Sequence, residues 1–258
     1  MIKRSLFVAC LSLVAVAAFS QEKIKDVRTN PDLYFLRADE VASSLNLLPA
    51  PPQPGSVLFM NDEAQYKWGK LQRNTPRGDQ AAEDARVNGD GVPNAFSEAF
   101  GVRISATTTP EIYKLVLGMR EDAGDLATRE AKEHYMRVRP FAFYNEMTCN
   151  PEQQQELFTN GSYPSGHTAI GWATALVLAE INVDRQNEIL KRGYEMGQSR
   201  VICGYHFQSD VDAARLVASA VVARLHANEN FMKQLEKAKK EFAELVSKGQ
   251  VVKSDFRN

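Results

Sequence analysis

The chain has 258 residues, 44% of them hydrophobic and 9% aromatic, which is enough for a real core in one large domain or two small ones. Its formal net charge is −1. That excludes a generalised basic surface for nucleic acid, so any affinity for anions has to be local.

The first twenty residues read as a secretory signal. Lys3 and Arg4 precede a nearly unbroken apolar run from Leu6 to Phe19, and Ala18-Phe19-Ser20 offers small residues for cleavage before Gln21. The run is too short to span a bilayer comfortably, and a retained anchor is the alternative. A lipid-modified Cys10 is disfavoured by its closeness to Arg4. Residues 21–258 then form a single domain, with nothing between residues 60 and 245 resembling a linker. Cleavage removes Cys10 and leaves Cys149 and Cys203, an even pair in an oxidising compartment and so a candidate disulfide. Two buried free thiols are the other reading.

Asn30-Pro31 opens a helical pattern through Leu33, Leu36, Val41, Leu45 and Leu48, an arm across the body that ends at Pro49, Pro51, Pro52 and Pro54. Residues 61 to 73 predict a helix capped by Asn61 or Asp62, and Pro76 starts another. Residues 88 to 94 are a loop by composition, with helix from Ala95 to Phe100 stopped by Gly101. Thr109-Pro110-Glu111 begins a long helix reaching about Tyr135, with Lys132 in its last turns and Arg139 in an exit kept extended by Pro140. A short polar helix follows from Pro151 to Phe158. Gly166 to Ile181 is apolar on most faces and only about four turns long, so it predicts a central buried helix. Asp184 caps the next helix, which runs towards Ile202 until Gly204 breaks it. Helices from about Phe207 to His226 and from 229 to 247 close the chain. No strand of useful length and no repeat is evident, so the predicted fold is all-α, a single compact multi-helix domain.

The chemistry is concentrated between residues 132 and 210. Lys132, Arg139 and Arg200 can hold an anion with several oxygens, and none is easily dismissed once all occur together. The helix beginning at Ser165-Gly166 presents unpartnered N–H groups and a favourable dipole; Ser165 adds a hydroxyl, and Gly166 lets an anion approach the backbone. His206 and Asp210 are four apart and share a helix face, so the carboxylate can fix which imidazole nitrogen is free to attack. Together these predict in-line phosphoryl transfer without a metal or other cofactor. His206 attacks phosphorus, His167 protonates the departing alkoxide, and the cations, with Ser165 and Gly166, hold the equatorial oxygens. One histidine must be neutral while the other is charged, which favours a mildly acidic working range. His134 and His226 lack comparable company and read as structural.

Lys-x6-Arg-Pro at Lys132–Pro140, Pro-Ser-Gly-His at Pro164–His167 and Ser-Arg-x5-His-x3-Asp at Ser199–Asp210 resemble the three-part signature of the type-2 phosphatidic acid phosphatase superfamily. Within it, Gly161-Ser162-Tyr163-Pro164-Ser165-Gly166-His167-Thr168 is similar to the bacterial class A non-specific acid phosphatases. The resemblance covers essentially the whole mature chain. It implies an all-helical periplasmic enzyme acting on small phosphomonoesters, with His206 as phosphorylated nucleophile, His167 as acid and Asp210 as orienting carboxylate. Lys132, Arg139, Ser165, Gly166, His167 and Arg200 would bind phosphate. It further implies some transfer of phosphate to alcohols, no required metal, and a homo-oligomer. Phe207 stands where several relatives have tryptophan.

Three rivals share parts of this pattern. A vanadate-dependent haloperoxidase resembles the same cage but would need vanadate, and the longer class A string speaks against it. A membrane lipid phosphatase would need transmembrane helices, which the mature chain lacks. A periplasmic phosphate-binding protein would explain the cations but not two histidines with an orienting acid.

Overall fold

The computed structural model describes residues 34–254. The expected signal segment, with Cys10, lies outside the described residues. Among the described residues there is no strand: the chain forms twelve α-helices with short 3-10 and π turns between them. None is long and apolar enough to cross a membrane.

The arrangement is built around α9 (Gly166–Ile181). Ser165 starts it by accepting the Thr168 N–H, and Ala169, Ala173, Val177 and Leu178 are fully buried along it. Truncating one such Leu to Ala typically costs about 2–5 kcal/mol. α10 (Gln186–Ile202) and α11 (Gln208–Leu225) pack on either side. α10 comes unusually close, because a Cβ at Gly193 would lie 2.4 Å from the Ala175 Cβ. That approach brings the C-terminal end of α10 beside the N-terminal end of α9. Gly204, at φ +77, then turns the chain from α10 into α11. The closing α12 (Glu229–Ser247) lies on α5 (Pro110–Glu121), where the Glu241 carboxylate accepts the Glu111 and Ile112 N–H groups.

Several boundaries differ from the sequence reading. The N-terminal arm is not one helix: Asp122 accepts the Phe35 and Leu36 N–H groups, holding that stretch open, and only α1 (Ser44–Leu47) follows a 3-10 turn at Ala38–Glu40. The arm does cross the body, with Pro49 O accepting the Tyr163 hydroxyl. α2 (Val57–Gln72) starts earlier than expected, capped by Ser56, which frees Asp62 to turn inward. α3 (Pro76–Glu83) starts at its proline as expected. α4 (Gly91–Phe100) begins inside the predicted loop, because Pro93 in its first turn needs no N–H there. Asp184 does not cap α10; it lies in a 3-10 turn, Val183–Arg185, anchored by Arg185 on the Ala99 and Lys253 carbonyls.

The predicted helix from Thr109 to Tyr135 is also interrupted. α5 passes into a π turn at Asp122–Leu126, and α6 (Arg129–Tyr135) starts afresh. Gly124 sits in that turn, and a Cβ there would lie 2.6 Å from Ile170 on α9. The backbone therefore widens where it presses on the central helix, next to the site.

Candidate active site

Main-chain hydrogen bonds first bring the three motif segments together. α6 ends at Met136 in the left-handed region, φ 39, and residues 137–139 run extended into α7 (Pro140–Phe143). Ser162 N–H donates to Arg137 O at 2.9 Å, tying this run to the second motif. Ser165 N–H donates to Asp210 O at 3.0 Å, tying the second motif to the third. The Tyr205 and His206 N–H groups both donate to Arg200 O, folding the third motif on itself.

The three cations then meet beneath the N-terminal end of α9. Lys132 Nζ donates to Gly161 O at 2.8 Å. Arg139 is held by the carbonyls of Asn160 and Tyr205, and its Nη1 lies 2.9 Å from His206 Nε2. Arg200 is fully buried with its guanidinium 4.0 Å over the Tyr205 ring, and none of Nε, Nη1 or Nη2 has a hydrogen-bond partner. Among the described residues, none of the three has a carboxylate within ion-pair distance. Lys132 and Arg139 thus donate to carbonyls, and the Arg200 guanidinium is buried without a partner, which is costly for a charged group.

Ser165 Oγ accepts from both the Thr168 N–H and the Thr168 hydroxyl, which leaves its own proton to donate elsewhere. Gly166 is required by the fold, since a Cβ would lie 2.8 Å from Gly124 O. His167 Nε2 donates to Ala85 O at 3.2 Å, leaving Nδ1 to carry an exchangeable proton. A cavity of about 590 Å³ reaches Lys132, Gly161, Gly166 and His167 and opens outward past Glu121, Asp125 and Arg129.

The electrostatics follow from that geometry. Burial, then the charges of Arg139, Lys132 and Arg200, push His206 well below its ordinary value. Burial, then Arg200 and His206, do the same to His167. Burial and Arg139 hold Lys132 well below the usual lysine range, and burial brings Arg139 to about 10 and Arg200 to about 9. Burial thus presses both histidines and the three cations towards neutrality.

Three contributors were not legible as such. Arg137 donates to Asp210 Oδ1 at 2.5 Å and to Asp62 Oδ2 at 2.8 Å, and stacks 4.5 Å over Phe207. Asp62, fully buried, also accepts the Ser209 N–H and hydroxyl. Ser162 Oγ lies 3.2 Å from His206 Nδ1 and donates to Asp210 Oδ2 at 2.6 Å. The only sequence signals were the alternation Arg137-Val138-Arg139 and the place of Ser162 inside the long motif string. Cys149 and Cys203 are disulfide-bonded, Cα atoms 4.7 Å apart, bracing the turn between Arg200 and His206. His226 is spent on Val222 O and Glu180, and His134 packs on Tyr135, neither at the site.

Residues 116–231 match the PAP2 superfamily. The chain is 66% identical over 220 residues to a protein from Providencia stuartii named non-specific acid phosphatase, covering 85% of this chain and 89% of that one. It is 43% identical over 207 residues to a Salmonella typhimurium protein of the same name, covering 80% and 83%. A Zymomonas mobilis acid phosphatase is 34% identical over 195 residues, covering 75% and 73%. With likeness of this extent, the chain belongs to the bacterial class A non-specific acid phosphatases of the PAP2 superfamily.

Proposed function

We propose that this acid phosphatase hydrolyses a broad range of small phosphate monoesters through a phosphohistidine on His206. The observation that carries the reading is the buried guanidinium of Arg200, unpartnered beside Arg139 and His206. Arg139 can only donate, so His206 Nε2 carries a lone pair, and the neutral ring keeps its proton on Nδ1. Nε2 attacks phosphorus, the ester P–O bond breaks, and His167 Nδ1–H passes its proton to the departing oxygen. Lys132, Arg139, Arg200, the Ser165 hydroxyl and the Gly166 N–H hold the phosphoryl oxygens. Water then attacks the phosphohistidine with His167 taking its proton, which restores His206 and releases phosphate.

His167 must be charged for the first step, although burial and Arg200 oppose that in the empty cage. A bound phosphate dianion offsets the surrounding cations and permits it, which supports an acidic optimum. The cations supply the charge stabilisation, so the reading requires no metal or cofactor. An alcohol in place of water would give phosphate transfer as a side activity. Residues 1–20 would direct export to the periplasm, where the Cys149–Cys203 bond is at home. Exposed Val57, Leu58 and Leu71 along α2 support assembly as a homo-oligomer.

Rapid acid and base quench with labelled p-nitrophenyl phosphate tests the mechanism. Acid-labile, base-stable label is expected on the wild type and none on His206→Ala. Turnover without any phosphoenzyme would overturn it, and halide oxidation only with added vanadate would favour the haloperoxidase alternative.

A further inference from the structure

The Nδ1 side of the His206 imidazole faces two side-chain acceptors, and they are not equivalent. Asp210 Oδ2 lies 3.4 Å from Nδ1 and already takes two short bonds, from the Ser162 hydroxyl at 2.6 Å and the Phe207 N–H at 2.8 Å. Its other oxygen belongs to Arg137. Ser162 Oγ lies nearer to Nδ1, at 3.2 Å. The Ser162 backbone also favours a proton on the ring. Both Ser162 and Asp210 are fully buried.

We infer that Ser162 is a positioning residue for the nucleophile, standing between His206 and Asp210 and carrying the orienting influence of the carboxylate to the ring. The proton assignments follow in one direction only. Arg139 fixes the lone pair on Nε2, so Nδ1 bears the hydrogen. The carboxylate can only accept, so the Ser162 hydroxyl donates to it and turns a lone pair towards Nδ1. The chain is therefore His206 Nδ1–H to Ser162 Oγ–H to Asp210 Oδ2, with Arg137 and Asp62 fixing the far end.

No proton travels along this chain. When the Nε2 lone pair forms the N–P bond, the ring becomes cationic and keeps its Nδ1 hydrogen. The aligned hydroxyl and carboxylate dipoles then stabilise that positive charge. Neutralisation of Asp210 by Arg137 suits this role, since the carboxylate orients Ser162 and does not have to act as a base.

The inference rests on the phosphohistidine reading, and the two fail separately. Wild type that forms no acid-labile phosphoenzyme defeats the reading; the following measurements, made on wild type that does form it, address Ser162. Ser162→Ala keeps every phosphate-binding cation. It is expected to slow phosphoenzyme formation about 10- to 100-fold, the usual loss when an outer partner orienting an imidazole is removed. The inhibition constant of inorganic phosphate should change less than about twofold, by the same logic that unaltered binding groups leave ground-state affinity intact. A phosphorylation rate within about twofold of wild type would overturn the inference, as would rate and phosphate affinity falling together, the mark of a merely structural residue. Proton NMR of the wild type gives a second arm that needs no variant. A His206 Nδ1 hydrogen shifted as for a hydroxyl acceptor supports the relay. One in the far-downfield range of imidazole–carboxylate pairs overturns it.

Discussion

Arg200 makes the sharpest prediction, because its contribution to stability and its contribution to binding have opposite signs. Replacing it with Met keeps a long apolar stem and removes the charge. Burial brings the guanidinium down to about 9, so the folded state holds that proton less tightly than the unfolded chain does. The penalty is complete at any pH below about 9 and amounts to about 5 kcal/mol. The contact over the Tyr205 ring, worth about 2 kcal/mol when desolvated, is lost in the variant. The net expectation is a variant more stable than wild type by about 3 kcal/mol without phosphate. For a domain of this size that raises Tm by about 6–12 °C. Phosphate at 100 times its Kd should add about 2.7 kcal/mol to the wild type and far less to the variant. Loss of kcat/KM should be at least about 10²–10³-fold, the effect of removing one strong oxyanion donor. Scanning calorimetry at pH 6, with and without phosphate, reads both signs. A variant less stable than wild type in the absence of phosphate, or equally stabilised by it, would refute the claim that Arg200 is an uncompensated cation held for an anion.

The two histidines make phosphate binding a proton-uptake reaction. Both are depressed in the empty cage by burial and nearby cations, and a bound dianion relieves this, so calorimetric titration near pH 6 in buffers of different ionisation heat should show net uptake. Because the unfolded chain binds those protons more readily, their contribution to stability falls as pH drops through about 6.5, and added phosphate should blunt the fall. Reduction of Cys149–Cys203, which closes a loop with a separation of 54 residues, should lower stability by about 4 kcal/mol in the chain-entropy account, read by urea unfolding with and without reductant. Asp62→Ala strands half of the Arg137 guanidinium and the Ser209 N–H in a buried place, and should cost about 3 kcal/mol in the same assay with a parallel fall in kcat.

How much of this was legible depended on whether a residue's role was local. α9 and α12 were readable to the residue, because apolar runs and a cap such as Ser165 act within a turn or two. The cations and histidines could be singled out by residue type and spacing. The break at Asp122–Leu126 was not readable, since the apolar pattern continues through it and the cause is Ile170 pressing on Gly124 from another helix. Asp62 looked like a helix cap because acids near helix starts often are; its partners, Arg137 and Ser209, are 75 and 147 residues away. Ser162 was hidden for the same reason, as its neighbours His206 and Asp210 arrive only when the chain folds back.

The site also separates two kinds of buried arginine. Arg137 faces two carboxylates, and their attraction outweighs its burial and holds it above the ordinary guanidinium value. Arg139 and Arg200 face carbonyls or an aromatic ring and fall to about 10 and about 9. The first is neutralised in advance and holds structure: it fixes Asp210, which lies against His206. The others are destabilised until an anion arrives. Partner chemistry thus sorts the arginines: on the proposed mechanism, those without carboxylates would be the ones held for substrate, and the one with carboxylates would set the geometry they act on. Exchanging those roles, by giving Arg200 a carboxylate neighbour, would stabilise the empty protein and weaken its hold on phosphate.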